Sequence, residues 1–156
     1  MGYWLMKSEP DAYGIDDLER DGREPWDGIR NYQVRNMIRD IMAIGDEALF
    51  YHSRVKKPAA VGLMRIVSDA YPDPTQFDAN SKYFDAKSDP ENPRWLLRDV
   101  EFIRRLARPI TLKELKAHPA LEEFQLNKKG NRLSIFPVTA DQWDVILGLE
   151  NREPMV

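Results

Sequence analysis

The chain contains no cysteine. That absence removes disulfides, thiol catalysis and thiolate metal ligands together. Histidine is nearly missing too, since His52 and His118 are the only two and share no ligand spacing. A zinc site therefore lacks donors, and no metal or cofactor is expected. There is no glycine-rich phosphate loop, no nucleophile elbow and no pair of metal-binding histidines. Apolar runs long enough to cross a membrane are absent. The start, Met1 to Lys7, is too short and wrongly flanked for a signal peptide. Met6 occupies the position where a myristoylation pattern wants Ser or Thr. Positive charge is in deficit as well: 23 Lys and Arg face 26 Asp and Glu, a formal net charge of -3. Domains that coat nucleic acid by bulk electrostatics are usually basic. Any recognition of nucleic acid here has to work through a pocket and local basic patches. The balance reads as a soluble intracellular protein with no membrane partner, in the cytoplasm, or in the nucleus of a eukaryote.

What is present suits one domain over residues 1–156, large enough to bury a core unaided. Tyr3 to Met6 reads as a buried strand that Pro10 stops, and Ile15 to Arg20 as a short helix closed by Gly22. Asn31 can cap a helix whose stripe is Val34, Met37, Ile38 and Ile41, with Gly45 as its left-handed end. Strands are expected over 48–52 and 59–67, and Gly62 marks a bulge or a close backbone approach. Residues 71–93, rich in Pro, Asp, Ser, Asn and Lys, form the longest irregular segment, of the kind that often serves binding. A strand follows within 95–106. Thr111 and Thr139 each open a helix with a capping-box pattern, and a further strand is expected over 132–136. Trp4, Trp95 and Trp143 lie in apolar patterns and read as core. Strands interspersed with short helices, without long crossovers, predict an α+β domain with a mixed or antiparallel, barrel-like sheet.

The chemistry concentrates between Pro25 and Asn36. Trp26 and Tyr32 offer stacking faces, Asn31 and Asn36 offer amides, and Arg30 and Arg35 offer cationic clamps. That set suits a planar, hydrogen-bonding ring such as a nucleobase. Trp26 also reads as a core tryptophan beside a turn, and the helix residues as a solvated polar face. Tyr32 and Asn36, four apart, share a face. His52 and Ser53 end a strand ahead of the basic run holding Lys56, where they could meet a ligand at a pocket mouth or merely cap the strand. Lys7 and Ser8 stand at another strand end. No stand-alone catalytic motif accompanies these residues.

Five stretches, taken in order, resemble the EVE domain family, whose fold is similar to the PUA domain. They are Tyr3 to Pro10, Trp26 to Gln33, Phe50 to Ser53, Asn92 to Trp95 and Arg132 to Val138. The resemblance implies a PUA-like mixed β-barrel with short helices around it and a pocket on one side. It also implies a non-enzymatic reader that flips a modified base, notably a modified cytosine in DNA, or a base in RNA, into an aromatic pocket. Under it Trp26 is the stacking wall and Tyr32 a second surface. Arg30, Asn31, Asn36, Ser8, His52 and Ser53 become ligand contacts, while Lys7, Arg35 and Lys56 meet the backbone. A separate effector protein could then act on the signal. On this reading Trp26→Ala abolishes binding and leaves the fold intact. An enzyme acting on RNA or a modified nucleotide, and a protein-interaction domain, are the alternatives.

Overall fold

The computed structural model describes residues 1–154. Thirteen elements follow along the chain: β1 (Tyr3–Ser8), α1 (Pro10–Tyr13), α2 (Ile15–Asp21), β2 (Arg23–Pro25), α3 (Tyr32–Asp40), β3 (Glu47–His52), β4 (Ala59–Ile66), β5 (Tyr71–Pro72), β6 (Leu96–Leu97), β7 (Asp99–Thr111), α4 (Leu112–Ala117), β8 (Ile135–Val138) and α5 (Ala140–Leu149). Six strands form one mixed sheet in the order β2-β7-β4-β3-β1-β8, curled into a half-barrel, while β5 and β6 pair apart from it. Only β1 and β3 run parallel, with Leu5 opposite Leu49, and both stop at the same end of the sheet.

The central strands β1 and β3 are apolar on both faces because helices and loops cover both. Trp4, Met6, Ala48 and Phe50 face a core shared with α2 and α3. Leu5, Leu49 and Tyr51 face the opposite core, shared with α4 and α5. Period-two alternation thus hides inside what reads as a continuous apolar run. The Trp4 indole N–H is satisfied by buried Asp46, which also accepts from the backbone of Gly2 and Ala43. Gly62 sits at a bulge in the β4–β7 register, and a Cβ there would meet Ile15 at 2.5 Å. The outer strands each carry a proline, Pro25 in β2 and Pro137 in β8.

Local expectations shift in five places, the first being the strand expected over 95–106, which splits into β6 and a longer β7 running to Thr111. Ile41 is 65% exposed, because α3 ends at Asp40 before its stripe can continue. Gly45 has a positive φ but lies in the turn leading to β3, not at the helix end. The last strand starts at Ile135, three residues later than expected. Thr111 caps α4 by accepting from the Glu114 N–H, but the Glu114 side chain turns to Arg108 instead of reaching back.

Candidate functional site

At the shared end of β1 and β3 the sheet opens into a cleft of about 1020 Å³. Five segments wall it: the end of β1 with α1, the β2 exit, the β3 exit, the tip of the 73–95 loop, and residues 126–134 with α4. Trp26 forms part of the wall and is also core, at 8% exposed, with its ring edge-on to Phe50 at 5.4 Å. Its backbone N–H donates to the Arg98 carbonyl and so prolongs the β2–β7 ladder. Truncation to alanine would open a core cavity worth about 3–5 kcal/mol. Trp26→Ala therefore does not leave the fold untouched, and a ring-for-ring change is the cleaner probe.

The turn after Trp26 is held by a buried carboxylate. Asp73 has no exposed surface. Its Oδ2 accepts from the Gly28 N–H at 2.8 Å and from Arg30 Nη1 at 3.2 Å. Its Oδ1 accepts from the Thr75 N–H and hydroxyl. Burial pushes the Asp73 pKa up, yet the donors from Thr75, Gly28 and Arg30 outweigh it and hold the group below its ordinary value. Gly28 itself has φ +84, and a Cβ there would lie 2.6 Å from the Tyr83 ring. The aromatic of the long loop is thus laid directly on the turn. That loop is ordered by Gln76, fully buried, which ties Asp73, Ser88 and Trp95 together through four hydrogen bonds.

The residues singled out in the sequence divide in two. Trp26, Lys7, Ser8 and Ser53 line the cleft. The Ser8 hydroxyl is already committed to the Tyr13 carbonyl at 2.6 Å, and burial lowers the Lys7 pKa. The others lie outside the lining. Arg30 braces the loops, donating to Tyr83, Ile29, Asp73 and Thr75. Asn31 caps α3 by accepting from the Val34 N–H. Tyr32 stacks on Trp95 at 4.7 Å and is covered by Arg35, which donates to the Arg94 carbonyl. Asn36 faces solvent and accepts from Arg35. His52 points away because strand alternation sends Tyr51 and Ser53 to the cleft side; its Nε2 accepts from the Ile15 N–H. Lys56 is exposed on the loop beyond.

Sequence reasoning missed Tyr13, Glu24, Lys82 and Tyr83 as cleft residues. An aromatic pair, Tyr83-Phe84, inside an otherwise polar loop was the available signal. Five cationic side chains (Lys7, Arg54, Lys82, Lys116 and Arg132) line the cleft against three carboxylates, Glu9, Glu24 and Asp27. The cleft is thus locally positive on an acidic chain. Arg54, at φ +54, is the one non-glycine residue at positive φ among those described. Asn131 presents an amide whose oxygen accepts from Gln125 and Leu133, leaving Nδ2 buried without a partner. No described helix is long and apolar enough to cross a membrane, and no described group of acidic or histidine side chains is placed to hold a metal ion.

This architecture has close counterparts. A crystal structure of a protein from Pseudomonas syringae matches with TM-score 0.91 and 49% identity, covering 95% of this chain and 99% of that one. The crystal structure of the human THYN1 protein in complex with DNA containing 5-methylcytosine matches with TM-score 0.94 and 42% identity, covering 99% and 100%. In sequence, human thymocyte nuclear protein 1 is 44% identical over 171 residues, spanning 97% of this chain and 75% of the relative. The EVE domain profile matches residues 2–149, and the chain belongs to the EVE domain family.

Proposed function

We propose that this protein is a non-enzymatic reader that accepts a modified base of nucleic acid, a modified cytosine in DNA, into the Trp26-walled cleft. The observation that carries the reading is the likeness, over 99% of the chain, to a human protein held in complex with 5-methylcytosine DNA. The cleft supports it physically. A flipped base needs a stacking face and polar groups along its edge. Trp26 supplies the face, steadied from behind by Phe50, and Ser53, Glu24 and Asp27 supply polar atoms nearby. The flanking phosphates would meet Arg54, Lys82, Lys116 and Arg132, while Lys7 reaches from the cleft floor. Arg30, Asn31, Tyr32, Arg35 and His52 then brace the segments around the cleft, while Asn36 stays at the surface. The relatives' name goes with the nucleus more than with the cytoplasm expected from composition, so we place the chain where DNA is.

The test is a titration with oligonucleotides that differ by one cytosine 5-methyl group, at stated salt, in DNA and in RNA. The methylated DNA is expected to bind more tightly, with log K falling by about 0.9 per tenfold rise in salt for each phosphate contact. Trp26→Phe should keep the fold and weaken binding by about tenfold, as base stacking contributes about 1–3 kcal/mol. Equal affinity for methylated and unmethylated DNA would refute the reading.

A further inference from the structure

One half-buried carboxylate in the cleft wall has only a shared hydroxyl for a partner among the described residues. Glu24 sits in β2, two residues before Trp26, so an extended backbone sends both side chains to the same side. Both line the cleft. Glu24 is half-buried, yet among the described residues no cation comes within ion-pair distance. The Tyr13 hydroxyl is within reach of it, but its single hydrogen is shared with Asp21, to which it donates at 3.0 Å. Arg20, the nearest guanidinium to influence it, is bound to Asp17 and Asp21. Burial, the largest cause, together with the Asp21 and Asp27 carboxylates raises its pKa against the lowering pull of the Tyr13 hydroxyl and Arg20. Asp27, whose pKa burial and then Asp73 also raise, differs in being exposed and in having both Arg30 and Lys82 to offset its charge.

A half-buried carboxylate with only a shared donor is under-satisfied, and a ligand N–H beside it removes that cost. Among pyrimidines the distinguishing donor is the exocyclic amine at C4 of cytosine; thymine and uracil carry an acceptor oxygen there. We propose that Glu24 accepts a hydrogen bond from the exocyclic amine of the bound base and thereby selects cytosine-type rings over thymine-type rings. The inference rests on the reader function proposed above and adds a specificity residue to it. 5-Methylcytosine and thymine carry the same methyl group, so stacking on Trp26 cannot separate them. Only the edge can.

The experiment uses two DNA duplexes, with 5-methylcytosine or thymine placed opposite an abasic site. Neither base then has a pairing partner to lose. Wild-type protein should prefer 5-methylcytosine by about tenfold or more, the size of a single well-placed edge contact. In Glu24→Gln the amide can turn its NH2 toward the thymine oxygen, so the preference should collapse to within about threefold. Glu24→Ala should lose 5-methylcytosine affinity without gaining any for thymine. Thermal unfolding of each variant confirms that the fold persists. An unchanged preference in Glu24→Gln, with binding intact, overturns this inference alone. If wild-type protein binds neither duplex, the reader function falls and this inference falls with it.

Discussion

Replacing Asp73 by asparagine keeps the shape of the side chain and removes its charge. One amide oxygen can still serve Thr75, whose N–H and hydroxyl both donate to Oδ1 at 2.8 and 2.6 Å. The amide NH2 then faces the Gly28 N–H and Arg30, two donors opposed by a third. The Arg30 guanidinium, 22% exposed, loses its only carboxylate within ion-pair distance. Breaking one side of a buried charge pair costs about 3–5 kcal/mol. Two lost charge-assisted hydrogen bonds, at about 1.5–3 kcal/mol each, give an overlapping range of about 3–6 kcal/mol. Urea unfolding should show it as a midpoint lowered by about 2 M, at a typical slope of about 1–3 kcal/mol/M. The difference between wild type and variant also has a signed pH dependence. The folded pKa of Asp73 is depressed, so its contribution is complete above the unfolded value of 3.8 and fades as pH falls through the folded pKa. Amide exchange at Gly28 should quicken in the variant. A loss under about 1 kcal/mol, or a difference that persists unchanged to strongly acid pH, would refute the account of the turn.

Gly28→Ala should destabilise by about 2–4 kcal/mol, combining the left-handed backbone cost with the clash against Tyr83, and should weaken DNA binding by displacing that ring. A change within about 0.5 kcal/mol in thermal unfolding would contradict it. His52→Ala leaves the Ile15 N–H without an acceptor and should cost about 1–3 kcal/mol at pH 8. Burial depresses the His52 pKa below 6.5, so its contribution is fully present above that pH and is lost as pH falls through the folded value. The stability gap between wild type and His52→Ala should narrow over that interval, and a gap that widens on acidification would reverse the assignment.

The centre of the sheet was legible because β1 and β3 bury both faces, and runs such as 48–51 have no other economical use; β2, whose residues are half-buried or exposed, was not. The Asn31 cap, the Gly62 bulge and the Thr139 capping box were legible because each depends on atoms a few residues apart. The cleft was half legible. Trp26 stood out, but Asn31, Tyr32 and Asn36 were drawn to it by proximity along the chain, whereas α3 carries Tyr32 onto Trp95 instead. What organises the site is Asp73 and Gln76, and polar residues in a polar loop read as solvated. Their burial follows from partners up to 45 residues away, which no local pattern encodes.

The prolines in the two outer strands also bear on how copies of this protein meet. A half-barrel leaves two open rims, and an open rim is where another chain can add a strand. Pro25 and Pro137 have no N–H to offer a newcomer, and each interrupts the row of backbone donors at its rim. Growth of the sheet from chain to chain is thereby discouraged at both ends. A concentrated solution, or a stretch of DNA crowded with readers, should hold these molecules side by side without zipping them together.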